Sequence, residues 1–408
     1  MSWFRRLLMR ADKPSGEAAD GELASQDRRF QSLDSLSARS LPATIQFGTA
    51  AFDGAFTPSL PRGFGPLFVG RQSFLRRLMT AVQDERVHVV LYGDRGVGKT
   101  SLTKAFGELA KRSGYTVLRR SCGASTTYDG LFRSILDSVH SRTASGAGLP
   151  KAPMDVEQVV DAFAASPGSR LLIFFDEFDR AEEDDLRSRI AETIKSLSDR
   201  AAQVNFVIVG VAASMNDLIG RHPSIQRNVA GVHLTPMSAG EIRQLIDVGA
   251  KASGFEFTST VSRRIAGLAR GMPYYAHSLC LHSLRAAMAR KERVVTEADL
   301  EAALLNLLEA QDPELLRLYE DTTAKLASVT LLEKMAAACH PQQGFSALDI
   351  GATDIELSPL ASEDFNSPLR RTSEKTPGRY LLQPMFAHFV LLRGATAGRF
   401  PAADKDVK

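Results

Sequence analysis

The sequence is poor in cysteine: its 408 residues contain only Cys122, Cys280 and Cys339, which lie far apart. No CxxC pair occurs, so neither a disulfide framework nor a cysteine zinc site is indicated. The protein is therefore expected in a reducing compartment.

Long apolar runs are also lacking. No stretch approaches the roughly 20 residues that a transmembrane helix needs, and the apolar part of the opening MSWFRRLLMR is too short for a secretory signal. The sequence predicts no transmembrane segment and a cytoplasmic protein.

The chain also lacks an excess of one charge, because 50 Lys and Arg residues are nearly balanced by 47 Asp and Glu residues, which gives a net charge of +3. A polycation that binds nucleic acid through its overall charge is excluded, and any basic surface must be local.

What the chain does contain is an alternation of strands and helices. The runs RVHVVLYG, YTVLRRS, RLLIFFD and VNFVIVGV are typical of buried strands and are separated by helical segments. This pattern predicts an α/β fold with a parallel sheet sandwiched by helices. Past His233 the strands are expected to stop. Short capped helices follow, opened by Ser238 with Glu241 and by Thr296 with Asp299.

The segment GDRGVGKTS fits the phosphate-binding pattern GxxxxGK[ST], follows a strand and opens a helix. In such a P-loop, backbone N–H groups and the helix start surround the phosphates. Lys99 is expected to neutralise the β and γ phosphates, and the Thr100 hydroxyl to hold Mg²⁺. The alternative is a glycine turn before a surface helix. The predicted phosphate-binding residues are Gly93, Asp94, Arg95, Gly96, Val97, Gly98, Lys99, Thr100 and Ser101.

The strand LLIFFDEFD supplies a second half of the predicted site. Asp176, at the strand's carboxyl end, is the expected second Mg²⁺ ligand, and Glu177 is the expected base that activates water. No guanine-reading [NT]KxD is present, which favours ATP over GTP. These motifs predict an ATPase with ATP and Mg²⁺ as its cofactors.

With FVGR, GDRGVGKTS, FFDEFDR and VNFVIVGVA in that order, the chain resembles the AAA+ ATPases related to origin-recognition and cell-division-control initiators. It is also similar to the neighbouring STAND signal-transduction NTPases. The resemblance covers about residues 67–308 and implies an AAA+ core followed by a helical lid. It also implies that Val69, Gly70 and Arg71 lie against the adenine.

The segment HPSIQRNVAGVHL resembles the region where such ATPases carry an arginine finger that completes a neighbour's site. Arg227 is the matching position, and the resemblance implies a homo-oligomer in the ATP-bound state. The alternative is a solvated surface arginine. For the γ-phosphate sensor after the fourth strand, Ser214 and Asn216 are candidates, and neither matches cleanly.

The segment ARGMPYYAHSL places a glycine and a proline before an apolar helix. Initiator-type relatives carry an arginine shortly after this glycine, whereas the STAND pattern is glycine, any residue, proline, which matches Gly271 and Pro273. Proline at the first helical position predicts a rigid hinge that sets Pro273 or Tyr274 against the base or ribose. An ordinary helix junction is the alternative. The missing arginine favours a slow switch over a motor.

After two helical stretches, Leu369–Thr372 and Arg379–Leu382 are expected to form a hairpin, which indicates a winged-helix-like module. Its basic residues are candidates for contacts with double-stranded DNA. Winged helices in STAND proteins also act as intramolecular regulators. The candidate DNA contacts are Arg370, Arg371, Lys375 and Arg379.

Two functions remain open at this point. One is an ATPase that assembles on DNA; the other is a signalling or scaffold switch that gates a protein partner through the N-terminal arm without DNA. A P-loop kinase fits the motif order less well. The predicted segments are a flexible arm and linker over 1–60, the ATPase core over 61–235, the helical lid over 236–311, the winged-helix-like module over 312–400 and a tail over 401–408.

Overall fold

The computed structural model describes residues 54–58, 63, 65–143, 152–165, 170–183, 185–220, 222–309, 313–326, 328–339, 344–357, 360–362, 367–371 and 379–396. The described residues from Ala55 onward belong to one unit. Nearly all of the predicted N-terminal arm and the predicted tail lie outside the described residues.

A five-stranded sheet with the order β2-β3-β4-β1-β5 forms the first part of this unit, and every neighbouring pair is parallel. The predicted parallel sheet is confirmed. Because parallel strands end at one edge, the residues after β1, β3 and β4 lie close together. The strands are β1 His88–Gly93, β2 Tyr115–Ser121, β3 Arg170–Asp176, β4 Val204–Val211 and β5 Val229–His233.

Helices cover both faces of this sheet, as alternate side chains of β3 demonstrate. Phe174 packs edge-on against Phe106 of one helix, whereas Phe175 packs against Phe132 of another. Successive strand residues point to opposite faces, so both faces are buried. The helices of this part are α1 Gln72–Gln83, α2 Lys99–Arg112, α3 Tyr128–Thr143, α4 Val156–Ala164, α5 Leu186–Asp199 and α6 Met215–Ile219.

A helical region follows, and both of its predicted capping pairs are present. Ser238 and Glu241 form a reciprocal capping box, and the backbone N–H of Thr296 donates to Asp299. The expectation that strands stop after His233 is wrong, because two short parallel strands pair here. Strands of two residues are too short to show periodicity. The elements are α7 Ala239–Ser253, β6 Glu256–Phe257, α8 Ser259–Ala269, α9 Pro273–Ala289, β7 Val294–Val295 and α10 Glu297–Glu309.

The C-terminal module combines helices with a three-stranded antiparallel sheet of order β8-β10-β9 around its own apolar core. The predicted hairpin of Leu369–Thr372 with Arg379–Leu382 is confirmed for the described part, in which Leu369, Arg370 and Arg371 pair with Leu382, Leu381 and Tyr380, and residues 372–378 lie outside the described residues. None of the described helices is both long and apolar enough to cross a membrane. The elements are α11 Pro313–Leu326, α12 Val329–Ala338, β8 Phe345–Ser346, α13 Asp354–Leu357, β9 Leu369–Arg371, β10 Arg379–Leu382 and α14 Pro384–Thr396.

Candidate nucleotide site

The loop from β1 to α2 has the backbone that phosphate binding requires. Gly93, Gly96 and Gly98 have φ values of 147°, 84° and 98°, in the region that favours glycine. Gly98 is the N-cap residue of α2 and has no side chain with which to cap the helix. The first N–H groups of α2 are therefore donors for an anion. Residues 94–102 line a cavity of about 920 Å³.

Lys99 is held at the centre of this loop. Its Nζ donates to the carbonyl oxygens of Gly93 and Asp94, both at 2.8 Å. Burial lowers the pKa of Lys99 to about 8, and the negative charge of Asp179 is the strongest opposing influence. A desolvated ammonium gains most from an anionic partner, so the loop is suited to a phosphate.

Asp176 and Thr100 both line the cavity. Burial raises the pKa of Asp176, while its Oδ1 accepts a hydrogen bond from the Glu177 N–H at 3.0 Å. A carboxylate and a hydroxyl are hard oxygen donors that suit Mg²⁺. Among the described residues no three His, Cys, Asp or Glu side chains form a metal site by themselves. Mg²⁺ would need phosphate oxygens in addition to these two residues.

Glu177, the predicted base, has a left-handed backbone with φ 55°. Its Oε2 accepts hydrogen bonds from Ser121 Oγ at 3.2 Å and from Arg180 Nη1 at 3.1 Å. The carboxylate lies at the cavity next to Asp176. The structure therefore brings the predicted base and the predicted Mg²⁺ ligand together.

Asp179 also lines the cavity, and the motif analysis gave it no role. Its Oδ1 accepts a hydrogen bond from the Val211 N–H at 2.8 Å, which ties the end of β4 to the segment after β3. The second aspartate of DEFD was the only signal in the sequence. Its hydrogen-bond partner, Val211 of β4, cannot be predicted from local spacing.

The FVGR element contacts the P-loop through Arg71. Arg71 is only 4% exposed, and its Nη2 donates to the Val97 carbonyl oxygen at 3.1 Å. Burial lowers the pKa of Arg71 to about 10, and the negative charge of Glu241 partly opposes this shift. Val69 and Arg71 line the cavity, and Gly70 has φ 67°. Arg71 therefore braces the P-loop, and its predicted adenine contact stays a prediction.

The hinge Gly271–Pro273 lies over the P-loop. A Cβ placed on Gly96 would lie 2.8 Å from Met272 Cε, and one on Gly98 would lie 3.8 Å from Pro273 Cγ. Pro273 is the first residue of α9, as predicted, and lines the cavity together with Tyr274. The helical region thus meets the phosphate loop through Met272 and Pro273, while the predicted hinge function stays a prediction.

We expect Gly271→Ala to lower the free energy of unfolding by about 1–3 kcal/mol. Gly271 has φ 77°, and an added Cβ would overlap the Met237 carbonyl oxygen. Chemical denaturation followed by circular dichroism measures the change. Gly267→Ala in α8 is the control, because its Cβ would meet nothing within 4 Å. Equal losses in both variants would contradict the steric argument.

Arg227, the predicted finger, is exposed in the turn before β5 and is not among the cavity residues. A catalytic role would require a neighbouring chain and stays a prediction. Ser214 caps α6 by accepting a hydrogen bond from the Asp217 N–H. Of these sensor-region residues, Asp217 lines the cavity, and Ser214 and Asn216 are not among the cavity residues.

The assignment of Arg370 to a DNA-contacting surface is wrong. Arg370 is 8% exposed, and its Nη2 lies 3.5 Å from Oδ1 of Asp94 in the P-loop. The hairpin turns this side chain inward, since alternate residues of a strand face opposite sides. Arg371 is exposed and Arg379 is half-buried, while Lys375 lies outside the described residues.

One family matches the chain in sequence. The family model described as Novel STAND NTPase 1 (nSTAND1) matches residues 64–305, more than half of the chain. The chain belongs to the nSTAND1 family. It is therefore a P-loop NTPase of the STAND kind, and the resemblance to STAND NTPases inferred from its motifs is confirmed. No curated protein matches this nSTAND1 chain in sequence.

The chain is also similar to many solved structures, among them the following three. The Aeropyrum pernix ORC1 protein in complex with DNA is 17% identical, with 82% of this chain and 95% of that chain covered and a TM-score of 0.46. Cdc6p from Pyrobaculum aerophilum is 14% identical, with 84% and 98% covered and a TM-score of 0.48. The Thermotoga maritima RuvB Holliday junction branch migration motor is 16% identical, with 77% and 92% covered and a TM-score of 0.46.

Proposed function

We propose that this nSTAND1 chain is an ATP-binding switch whose nucleotide state controls how its C-terminal module is held. The observation that carries the proposal is the contact of Arg370 with Asp94, two residues 276 positions apart in sequence. Gln383, just before α14, lines the same cavity. A phosphate on the P-loop would therefore lie near a cation of the C-terminal module as well as near Lys99.

The lid hinge supplies a second connection between the P-loop and this module. Tyr275, two residues after Pro273, stacks on His388 of α14 with an angle of 18° between the rings. Arg270, just before the hinge, donates to the Ala336 carbonyl oxygen near the end of α12. A movement of the hinge would strain both contacts, which supports coupling between nucleotide and module.

The chemistry proposed for the site is slow hydrolysis of ATP. Lys99 and the α2 N-terminus would hold the phosphates, and Thr100 and Asp176 would hold Mg²⁺, which would supply neutralisation of the phosphate charge. Glu177 accepts the proton of the attacking water. ATP is preferred over GTP in this proposal because the guanine-reading motif is missing.

Assembly is part of the proposal. The exposed Arg227 would complete the site of a neighbouring copy, which makes the ATP-bound state a homo-oligomer. The arrangement of the C-terminal helices and hairpin supports a winged-helix-like module. The regulatory role is favoured over DNA binding for this module, since one of the four candidate DNA contacts, Arg370, is turned inward.

Steady-state ATP hydrolysis with and without double-stranded DNA, at low and moderate salt, tests this function. We expect slow hydrolysis that is indifferent to DNA, with Glu177→Gln as the blank. Stimulation by DNA that fades steeply with salt would instead favour a DNA-assembled ATPase. A wild-type protein that neither binds nor hydrolyses ATP would contradict both functions.

We expect Arg370→Ala to raise the dissociation rate of a fluorescent ADP analogue by about 10-fold. A hydrogen bond to a charged group contributes about 1.5–3 kcal/mol, and this variant removes such a donor from the P-loop. Stopped-flow displacement by excess ATP measures the rate. Arg371→Ala, exposed on the same strand, is the control and should change the rate less than about twofold. Identical rates in wild type and Arg370→Ala would contradict the proposed coupling of bound nucleotide to the C-terminal module through Arg370.

A further inference from the structure

Arg180 is a cavity-lining arginine with no role so far in the proposed reaction. It ends the single helical turn Phe178–Arg180 that directly follows Glu177. Its Nη1 lies 3.1 Å from Glu177 Oε2, the oxygen to which Ser121 also donates. A guanidinium of the same chain thus contacts the predicted base and lines the same cavity as the phosphate loop, whereas Arg227 is not among the cavity residues.

The backbone that carries Arg180 is firmly placed. Phe178 is fully buried, and Asp179 accepts a hydrogen bond from the Val211 N–H. The Arg180 N–H donates to the Glu177 carbonyl oxygen at 3.0 Å, which closes the turn. The Cα of Arg180 is therefore fixed relative to the carboxyl edge of the sheet, while its long side chain keeps rotational freedom.

The ion pair between the side chains of Arg180 and Glu177 is weak. The side chains of Arg180 and Glu177 are 63% and 51% exposed, and an exposed ion pair contributes only about 0–1 kcal/mol. A phosphate offers more acceptor oxygens and more negative charge than a single carboxylate. Exchange of Glu177 for a γ-phosphate oxygen is therefore favourable for this guanidinium.

We propose that Arg180 is a catalytic residue that acts in cis, leaving Glu177 when ATP binds and donating to γ-phosphate oxygens during hydrolysis. The water oxygen forms a bond to the γ phosphorus, the bond from this phosphorus to the bridging oxygen of ADP breaks, and Glu177 accepts the water proton. Arg180 neutralises the charge on the transferring phosphoryl group. The same movement frees Glu177 to meet the water. This inference rests on the proposed ATPase function.

The first test compares Arg180→Ala and Arg180→Lys with the wild type. We expect kcat of Arg180→Ala to fall at least about 100-fold, as for other arginines that contact a transferring phosphoryl group. The Kd for ATP should change less than about threefold, because Lys99 and the α2 N-terminus still hold the phosphates. Arg180→Lys should recover part of kcat. Arg243→Ala, an exposed arginine of α7, is the control for loss of a surface charge.

Mixing subunits separates action in cis from action in trans. Arg180→Ala mixed with Glu177→Gln should stay inactive, because every site then lacks one of two residues that must come from the same chain. Arg227→Ala mixed with Glu177→Gln should regain activity if Arg227 acts across an interface. A kcat of Arg180→Ala within about threefold of wild type, or recovery of its activity by mixing, overturns the inference. A wild type that neither binds nor hydrolyses ATP overturns the proposed function as well.

Discussion

Glu177→Gln should lower the steady-state rate of ATP hydrolysis at least about 100-fold while ATP still binds. The amide cannot accept the proton of the attacking water. Its carbonyl oxygen can still accept the hydrogen bonds that Ser121 and Arg180 donate to Glu177 Oε2. Lys99 and the loop that holds the phosphates are untouched. Hydrolysis assays and equilibrium binding of a fluorescent ATP analogue measure the two effects separately.

The control for this variant is Glu182→Gln. Glu182 is exposed five residues further along the chain, so its replacement removes the same charge without touching the cavity residues. It should hydrolyse ATP at the parent rate. Hydrolysis at the parent rate by Glu177→Gln would show that Glu177 is not the base, and Asp179 would be the next carboxylate to test.

Lys99→Ala should raise the Kd for ATP at least about 100-fold. The lysine is desolvated and donates to two backbone carbonyls, and in the proposed function its charge neutralises the β and γ phosphates. Calorimetric titration with Mg²⁺ and ATP measures the loss. Lys104→Ala, exposed further along α2, is the control and should keep the parent affinity. Unchanged affinity in Lys99→Ala would contradict the assignment of the loop.

The affinity of the wild type for ATP should also depend on pH through Lys99. Burial lowers the pKa of this ammonium to about 8 in the free protein, and bound phosphates favour its charged form. Affinity is therefore full below about pH 8 and falls as the pH rises through that value. Binding titrations at pH 7, 8 and 9 measure the slope. A flat profile would contradict the pKa assigned to Lys99.

The P-loop and the acidic pair were predictable because each depends on a few neighbouring residues. Gly96 and Gly98 have positive φ, which glycine adopts without strain, and the lysine follows at fixed spacing. An apolar strand that ends in Asp176 places a carboxylate at the edge where β1 also ends. The local pattern and the parallel topology are thus sufficient to bring these groups together.

Arg370 is a residue whose environment the local sequence pattern did not predict. The basic residues of the hairpin favour an exposed wing, yet the Arg370 side chain is buried and contacts Asp94 of the P-loop, 276 residues earlier in the chain. The contact of Asp179 was likewise not predictable from local sequence, since its hydrogen-bond partner Val211 lies on β4. Such contacts depend on how separate elements are placed against each other.

The sequence by itself determined the class of the protein, its nucleotide loop and its acidic pair, because these rest on backbone conformation and spacing within short segments. Only the tertiary structure decided which arginines meet the cavity. Arg180 lines the cavity and Arg370 contacts Asp94 of the phosphate loop, while Arg227 is not among the cavity residues. A guanidinium at the end of a long side chain is directed by packing and by distant charges, and no local periodicity encodes that direction.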